Sequence, residues 1–210
     1  MPVLKRALRQ LEMAGCERIV VVVGHRREEI EAALQLWKPD LRARIETVFN
    51  PEHRLKNGVS LLVARERLER RFLLAMADHV VGGEVMRLAG AHVPPPTGAT
   101  LLVDRRVDRV FDIDDATKVR TAGDRILRIG KELEEFDAID TGVFVGTTGL
   151  LDALGEVYAE GGDASLSEGV QRLAAAGAMT VLDIGDGFWQ DVDDAAMLAQ
   201  AERELARRGE

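Results

Sequence analysis

Acidic side chains stand at two places in the chain where they could hold a cation. Asp78 directly follows the apolar run 72–77, and Asp191 and Asp193 come just before the closing helix predicted over 195–208. Ligands of open α/β sheets bind beyond the carboxyl ends of strands, and Mg²⁺ takes one or two carboxylates as protein ligands. The alternative is helix capping, because Asp is a favoured N-cap residue. For Asp193 taken alone, capping is the preferred interpretation.

The elements that must position these acids follow an α/β order. The apolar runs 19–23 and 72–77 are continuous rather than alternating, which is typical of strands buried on both faces of a sheet. Helical spacing over 4–11 and 27–37 predicts helices between strands. We therefore expect a Rossmann-like, mostly parallel sheet flanked by helices. Residues 118–129 predict a small antiparallel hairpin inserted into it.

Bulk properties restrict the function classes. The 210 residues suffice for one sizeable domain, and a net charge of −8 argues against a nucleic-acid partner, which selects basic faces. The single cysteine, Cys16, excludes an internal disulfide and suits a reducing compartment. No apolar run approaches the ~18–20 residues of a membrane span, and the N-terminus lacks a signal-peptide layout. The expected location is the cytoplasm.

Four ordered segments carry a resemblance to a known family: Asn57-Gly58-x-Ser60-Leu61-Leu62, Met76-Ala77-Asp78-His79, Gly130-Lys131 with Asp140-Thr141-Gly142, and Trp189-Gln190-Asp191-Val192-Asp193. The chain resembles the nucleotidyltransferases that join a nucleoside triphosphate to a sugar- or alcohol-phosphate. Within them it is most similar to the CTP:inositol-1-phosphate cytidylyltransferases, through residues 116–120 and 129–137. No single motif is specific, but the ordered set spans nearly the whole chain.

The resemblance implies a reaction in which a substrate phosphate attacks the α-phosphorus of CTP and pyrophosphate leaves. A phosphate monoester is largely a dianion at pH 7, so no general base is needed. Mg²⁺ and lysines would offset the charge of the leaving group. By resemblance, Asp78 and Asp191 are the metal ligands, with Asp193 not excluded, and Lys131 meets the acceptor phosphate. The alternative for Lys131 is a solvated surface lysine.

The resemblance also assigns substrate contacts to two further groups of residues. They are Asn57, Gly58 and Ser60 at the nucleotide base, and Asp140, Thr141 and Gly142 at the acceptor. Each assignment has a structural alternative. The first group consists of ordinary helix-cap residues, and Thr-Gly inside a strand can simply mark a bulge.

One departure from the family pattern affects both fold and function. The family's first strand is followed by a glycine-rich loop and a basic residue that cradle the triphosphate, and no such segment precedes residues 18–24. We therefore expect a single nucleotidyltransferase domain over 1–210 that lacks the first strand and its loop, leaving unpaired edges on neighbouring strands. A late start or truncation is favoured over degeneration, because the other site residues are present.

Other functions stay open at this point. A catalytically impaired binding module fits the absent loop, and an enzyme using another nucleoside triphosphate or another acceptor, such as a sugar 1-phosphate or phosphocholine, fits the same motifs. An aromatic cage for phosphocholine is hard to assemble from 4% aromatic residues, which favours a hydroxyl-rich acceptor. A dehydrogenase is disfavoured because Gly-x-Gly-x-x-Gly is absent. The sequence does not fix the oligomeric state, and a homodimer stays open.

Overall fold

Within residues 1–209, which the computed structural model describes, seven α-helices and ten β-strands follow one another. The helices are α1 (Val3–Met13), α2 (Arg27–Trp37), α3 (Asn57–Val63), α4 (Gly83–Ala91), α5 (Thr148–Gly161), α6 (Leu166–Ala175) and α7 (Ala195–Arg208). The strands are β1 (Arg18–Val23), β2 (Arg44–Phe49), β3 (Arg71–Ala75), β4 (His79–Val81), β5 (Ala99–Asp104), β6 (Lys118–Ala122), β7 (Arg125–Gly130), β8 (Ala138–Thr147), β9 (Met179–Asp183) and β10 (Trp189–Asp191).

The core is built on a six-stranded sheet with the order β3-β8-β5-β9-β7-β6. All six residues of β5 are buried, as expected for a central strand whose Thr-Leu-Leu-Val run carries apolar groups on both faces. Helices α5 and α6 cover one face, and α4 covers the other with Val85, Met86 and Ala89. The sheet is thus sandwiched between helices, which identifies an α/β fold.

A second, two-stranded sheet lies beside the main one. Strands β1 and β2 pair in parallel, from Arg18 opposite Arg44 to Val23 opposite Phe49. Their cluster of buried side chains combines Leu8 of α1, Ile19 of β1 and Leu34 of α2. We call this unit, residues 1–49, the N-terminal lobe.

A cavity of about 770 Å³ separates the N-terminal lobe from the main sheet, between β1 and β3. At one end of it Arg18 Nη2 lies 3.6 Å from Glu69 Oε1, just before β3, so both strands begin at this end of the cavity that they line. Within residues 1–209, β1 pairs only with β2 and β3 only with β8. The edges of β1 and β3 that face this cavity therefore carry unpaired backbone groups. We call it the interstrand cavity.

The α/β class and the hairpin are confirmed, whereas the sheet is more mixed than expected. Only the β1–β2 and β5–β9 pairs are parallel, because β8 runs antiparallel between β3 and β5. The hairpin β6–β7 is also not a separate insertion, since both strands join the main sheet. The expectation that 72–77 is buried on both faces is wrong: Phe72 is buried, but Leu73 to Met76 are only partly buried because they border the interstrand cavity.

No helix within residues 1–209 combines the length and the apolar character that a bilayer crossing requires.

Candidate active site

A short antiparallel ladder brings the two separated acidic segments together. Asp191 of β10 lies opposite His79 of β4, and the Val192 amide donates to the Asp78 carbonyl at 3.0 Å. Asp78 does not cap a helix, because α4 begins at Gly83 after Gly82. The backbones of the two acidic segments therefore meet, as the predicted metal site requires.

The capping interpretation of Asp193 is wrong. Helix α7 is capped by Asp194, whose carboxylate accepts from the Met197 amide at 2.8 Å. The sequence could not separate these neighbours, because both precede the helix and both are favoured cap residues. With Asp194 in that role, the Asp193 carboxylate is left for the site.

Three carboxylates form a cluster beside the ladder. Oxygens of Asp115, Asp191 and Asp193 lie within 4.8 Å of one another, and we call these residues the acidic cluster. Burial raises the pKa of Asp191; His79 opposes this, while the charges of Asp193 and Asp112 add to it. Crowded carboxylates are a donor set suited to a hard divalent cation. Asp78 is not in this group of three: its exposed carboxylate lies 3.8 Å from His79 Nε2.

Lys131 reaches the acidic cluster through Asp115, with its ammonium 2.7 Å from that carboxylate. Both side chains are about half exposed, so the pair can rearrange at little cost when a ligand arrives. Sequence reasoning missed Asp115, which lies in the loop between β5 and β6. The acidic residues Asp112, Asp114 and Asp115 are visible in the sequence as a possible cation-binding group. However, nothing in the local sequence indicates that this loop folds over β10.

The turn within β8 holds His79 in a fixed orientation. His79 Nδ1 lies 2.9 Å from the Thr141 carbonyl; since a carbonyl only accepts, Nδ1 carries the proton. Gly142 has a φ of +74°, and a Cβ there would lie 2.2 Å from His79 Nδ1. The β5–β8 register shifts at this point, between Leu101 and Val103, so the bulge alternative is confirmed.

Asp140, the first residue of that turn, is partly buried. Its carboxylate accepts from the Gly142 amide at 2.7 Å. Burial raises the pKa of Asp140 to about 6, although the Gly142 amide and His79 both act to lower it. The Thr141 hydroxyl faces the core, where it donates to the Leu102 carbonyl at 2.8 Å. Of the three residues of the turn, Asp140 is therefore the one whose side chain is available for a polar ligand.

The segment 57–60 lies at the other end of the interstrand cavity. Asn57 Oδ1 accepts from the Leu166 amide at 3.0 Å, at the start of α6. A Cβ on Gly58 would lie 2.6 Å from the Ala164 carbonyl oxygen, so Gly58 has a packing role. The Ser60 hydroxyl accepts from Asn50 Nδ2 at 3.1 Å, and Asn57 and Ser60 both line the cavity. None of the three caps α3 with its side chain.

A buried ion pair behind the ladder was also missed by sequence reasoning. Asp104, at the end of β5, accepts three hydrogen bonds from Arg106 and one from Trp189 Nε1 at 3.1 Å. The Trp189 ring in turn lies 5.9 Å from the His79 ring, centroid to centroid. This network fixes β10, and with it Asp191, against the end of β5.

Comparisons with known proteins identify relatives of this chain. The chain is 34% identical over 207 residues to the bifunctional IPC transferase and DIPP synthase of Thermococcus kodakarensis, covering 98% of this chain and 44% of that protein. The protein of the same description from Rubrobacter xylanophilus is 34% identical over 197 residues, 90% of this chain and 42% of that one. The chain thus spans less than half the length of these curated relatives. No family model matches it.

Solved structures point to the same family. The inositol-1-phosphate CTP transferase from T. maritima superposes with a TM-score of 0.82 at 27% identity, over 95% of this chain and 80% of that one. A UDP-glucose pyrophosphorylase complexed with UDP-glucose gives 0.79 at 13% identity, over 99% and 87%, which supports the fold alone. The chain is thus homologous over nearly its whole length to part of the bifunctional IPC transferase and DIPP synthases, and it has the nucleotidyltransferase fold.

Proposed function

We propose that this domain transfers a cytidylyl group from CTP to a phosphorylated polyol, with inositol 1-phosphate favoured, and releases pyrophosphate. The observation that carries the proposal is the β4–β10 ladder, which joins Asp78 to Asp191 and Asp193, with Lys131 placed at the same cluster. The names of the relatives support the choice of nucleotide and acceptor.

The donor set fits a divalent metal, and we propose Mg²⁺. The candidate ligands are the carboxylates of Asp191 and Asp193 in the acidic cluster, together with the exposed carboxylate of Asp78, which lies outside it; all are hard oxygen donors. The raised pKa of Asp191 fits a site that lacks a counter-charge until a cation binds. When bound, the ion would offset the negative charge that develops on the leaving pyrophosphate.

At the acceptor, we assign the phosphate to Lys131 and the hydroxyl groups to Asp140. An ammonium on a flexible stem suits a phosphate as a point charge, and Lys131 is half exposed. With a pKa of about 6, Asp140 is mostly ionised at pH 7 and can accept hydrogen bonds from hydroxyls. Gly142 lets the backbone approach closely, and the acceptor phosphate attacks as a dianion without a base.

For the nucleotide, we assign the base to the cavity end lined by Asn57 and Ser60. We further propose that a strand outside residues 1–210 fills the interstrand cavity and carries the loop that binds the triphosphate. Two strands that begin at the same end of the cavity and present unpaired edges to it support this, because a strand between them would pair with both at once.

Isothermal titration with CTP and Mg²⁺ tests the nucleotide half of the proposal. The protein used is the one expressed with the in-frame residues encoded upstream of Met1. We expect binding that is lost in Asp191→Asn but retained in Asp186→Asn, which changes a fully exposed acid. If CTP and Mg²⁺ do not bind to this longer protein, the proposal is wrong.

The interstrand cavity also favours a second candidate, a catalytically impaired binding module, because it lies where the triphosphate loop is expected. Pyrophosphate release from CTP and inositol 1-phosphate separates the two. Turnover by the longer protein excludes the binding module, whereas acceptor binding without release supports it. Parallel assays with UTP, GTP and a sugar 1-phosphate identify any different substrate pair.

A further inference from the structure

Lys118, the first residue of β6, lies where β6 pairs with both β7 and β8. The proposed function assigns no role to it. Its Cα is registered with Gly130 on β7 and with Ile139 on β8. The residues that follow Gly130 and Ile139 in the chain are Lys131 and Asp140, the two residues assigned to the acceptor. The position of Lys118 therefore couples the two halves of the acceptor site through the sheet.

The ammonium of Lys118 binds backbone carbonyls rather than a carboxylate. Its Nζ lies 3.1 Å from the Asp114 carbonyl, 3.4 Å from that of Ala116 and 2.9 Å from that of Lys131. An ammonium has three donors, so these contacts use its full capacity. The Phe136 ring, with its centroid 5.9 Å from Nζ, covers another side.

These three carbonyls belong to the two segments that must meet at the acidic cluster. Asp114 and Ala116 flank Asp115 on both sides, so Lys118 fixes the backbone that carries the Asp115 carboxylate. The third carbonyl is that of Lys131, whose side chain binds Asp115 at 2.7 Å. One cation thus ties the loop 112–117 to the turn at 130–131.

We propose that Lys118 is a positioning residue that presents Lys131 and Asp115 to the acceptor phosphate beside the acidic cluster. This rests on the proposed function. Without the ammonium, the loop 112–117 keeps the bond from the Ala116 amide to the Asp112 carbonyl at 3.1 Å, and at its end the bond from the Asp140 amide to the Thr117 carbonyl at 2.9 Å, but neither holds the Asp114 and Asp115 backbone to the turn at 130–131. Lys131 would then sample positions away from Asp191 and Asp193, and the acceptor would bind more weakly.

The test compares Lys118→Met, which keeps the stem and removes the donors, with Lys118→Arg and with Lys5→Met. Lys5 serves as a matched control, since its ammonium binds Asp40 at 2.5 Å in the N-terminal lobe. Hydrogen exchange of the 210-residue chain without ligand measures the loop itself. In Lys118→Met we expect amides 112–117 to exchange about tenfold faster, because hydrogen bonds to a charged group are lost; Lys5→Met leaves them unchanged.

Kinetics of the longer protein measure the positioning role. Lys118→Met should raise KM for inositol 1-phosphate about tenfold while KM for CTP changes by less than about twofold, with partial rescue in Lys118→Arg. Unchanged exchange, or an equal rise in both KM values, overturns the proposal. If the unmutated protein shows no cytidylyl transfer, the proposed function fails, and the exchange measurement alone still shows whether Lys118 holds the loop.

Discussion

At His79, the surrounding backbone determines which nitrogen faces the site. Because Nδ1 donates to the Thr141 carbonyl, Nε2 is the nitrogen directed toward Asp78. The ring fits only because Gly142 has no side chain. Sequence motifs identify His79 and Gly142 separately, but they do not pair them, since the contact arises from a bulge between β5 and β8. Residue types were predictable here, and the contact was not.

Asp140→Asn should make the folded state more stable at pH 7 while weakening acceptor binding. The folded pKa of Asp140 is raised to about 6, so between its unfolded pKa and 6 the folded state binds more protons, and stability falls as pH rises. Removing the charge should increase the free energy of unfolding at pH 7 by on the order of 1 kcal/mol. Urea unfolding at pH 4.5 and pH 7 measures this. A loss of stability at pH 7 would contradict it.

Asp104→Asn should destabilise the protein and disturb the ladder. Asp104 is buried and bonded to Arg106, so its substitution removes the carboxylate that the guanidinium hydrogen-bonds and leaves only the more distant Asp186 carboxylate, a loss of about 3 kcal/mol. Despite burial, Arg106 and Trp189 hold the pKa of Asp104 below its ordinary value. Asp104 therefore stabilises the folded state fully at pH values above its unfolded pKa. This stabilisation is lost as the pH falls through the lower pKa of the folded state.

Thermal unfolding of Asp104→Asn and of Asp186→Asn measures this loss. Asp186 is fully exposed, 3.8 Å from the same Arg106, and its substitution should change the melting temperature little. Equal melting temperatures for the two variants would show that the buried pair does not hold β10.

At the level of elements, the sequence located β3 and β8 but not their environment. The apolar run 72–77 predicts a strand because its side chains are uniformly apolar, yet burial depends on what lies next to it, and β3 borders the interstrand cavity. Similarly, the acids at 191–194 predict the start of a helix without showing which acid caps it. Local propensity sets the type of an element, and tertiary packing sets its partners.

The neighbours Asp193 and Asp194 should therefore respond oppositely to substitution. Asp194→Ala removes the cap of α7 and should lower the free energy of unfolding by about 1 kcal/mol, with the metal requirement unchanged. Asp193→Ala should leave stability nearly unchanged and raise the Mg²⁺ concentration needed for half-maximal CTP binding. Chemical unfolding and metal titration of both variants measure these effects. If both variants lost the same unfolding free energy and needed the same higher Mg²⁺ concentration, the separate roles of Asp193 and Asp194 would be contradicted.

At the level of the whole molecule, the interstrand cavity divides the fold into two parts. The N-terminal lobe meets the rest mainly through helices, with α1 against α4 and β4, and α3 against β1. The resemblance predicted unpaired edges on neighbouring strands, and within residues 1–209 β1 and β3 have such edges along the interstrand cavity.

A protein that supplies the proposed strand should be more stable than residues 1–210 alone. A parallel strand would pair its backbone with both β1 and β3, and its side chains would bury apolar surface now only partly covered at Val20 to Val22 and Leu73 to Ala75. We expect a melting temperature at least ~5 °C higher for the longer protein, with slower amide exchange in β1 and β3. Unchanged exchange in both strands would contradict a strand in this position.

Because no sheet hydrogen bonds cross the interstrand cavity within residues 1–209, the two sides need not unfold together. A two-stranded sheet is only marginally stable by itself. The free energy of unfolding should therefore be lower for residues 1–49 than for the main sheet. The two tryptophans happen to report on opposite sides: Trp37 packs in the lobe, and Trp189 lies beside His79. Denaturation followed by the fluorescence of single-tryptophan variants should therefore give two midpoints, with that of Trp37 at the lower denaturant concentration.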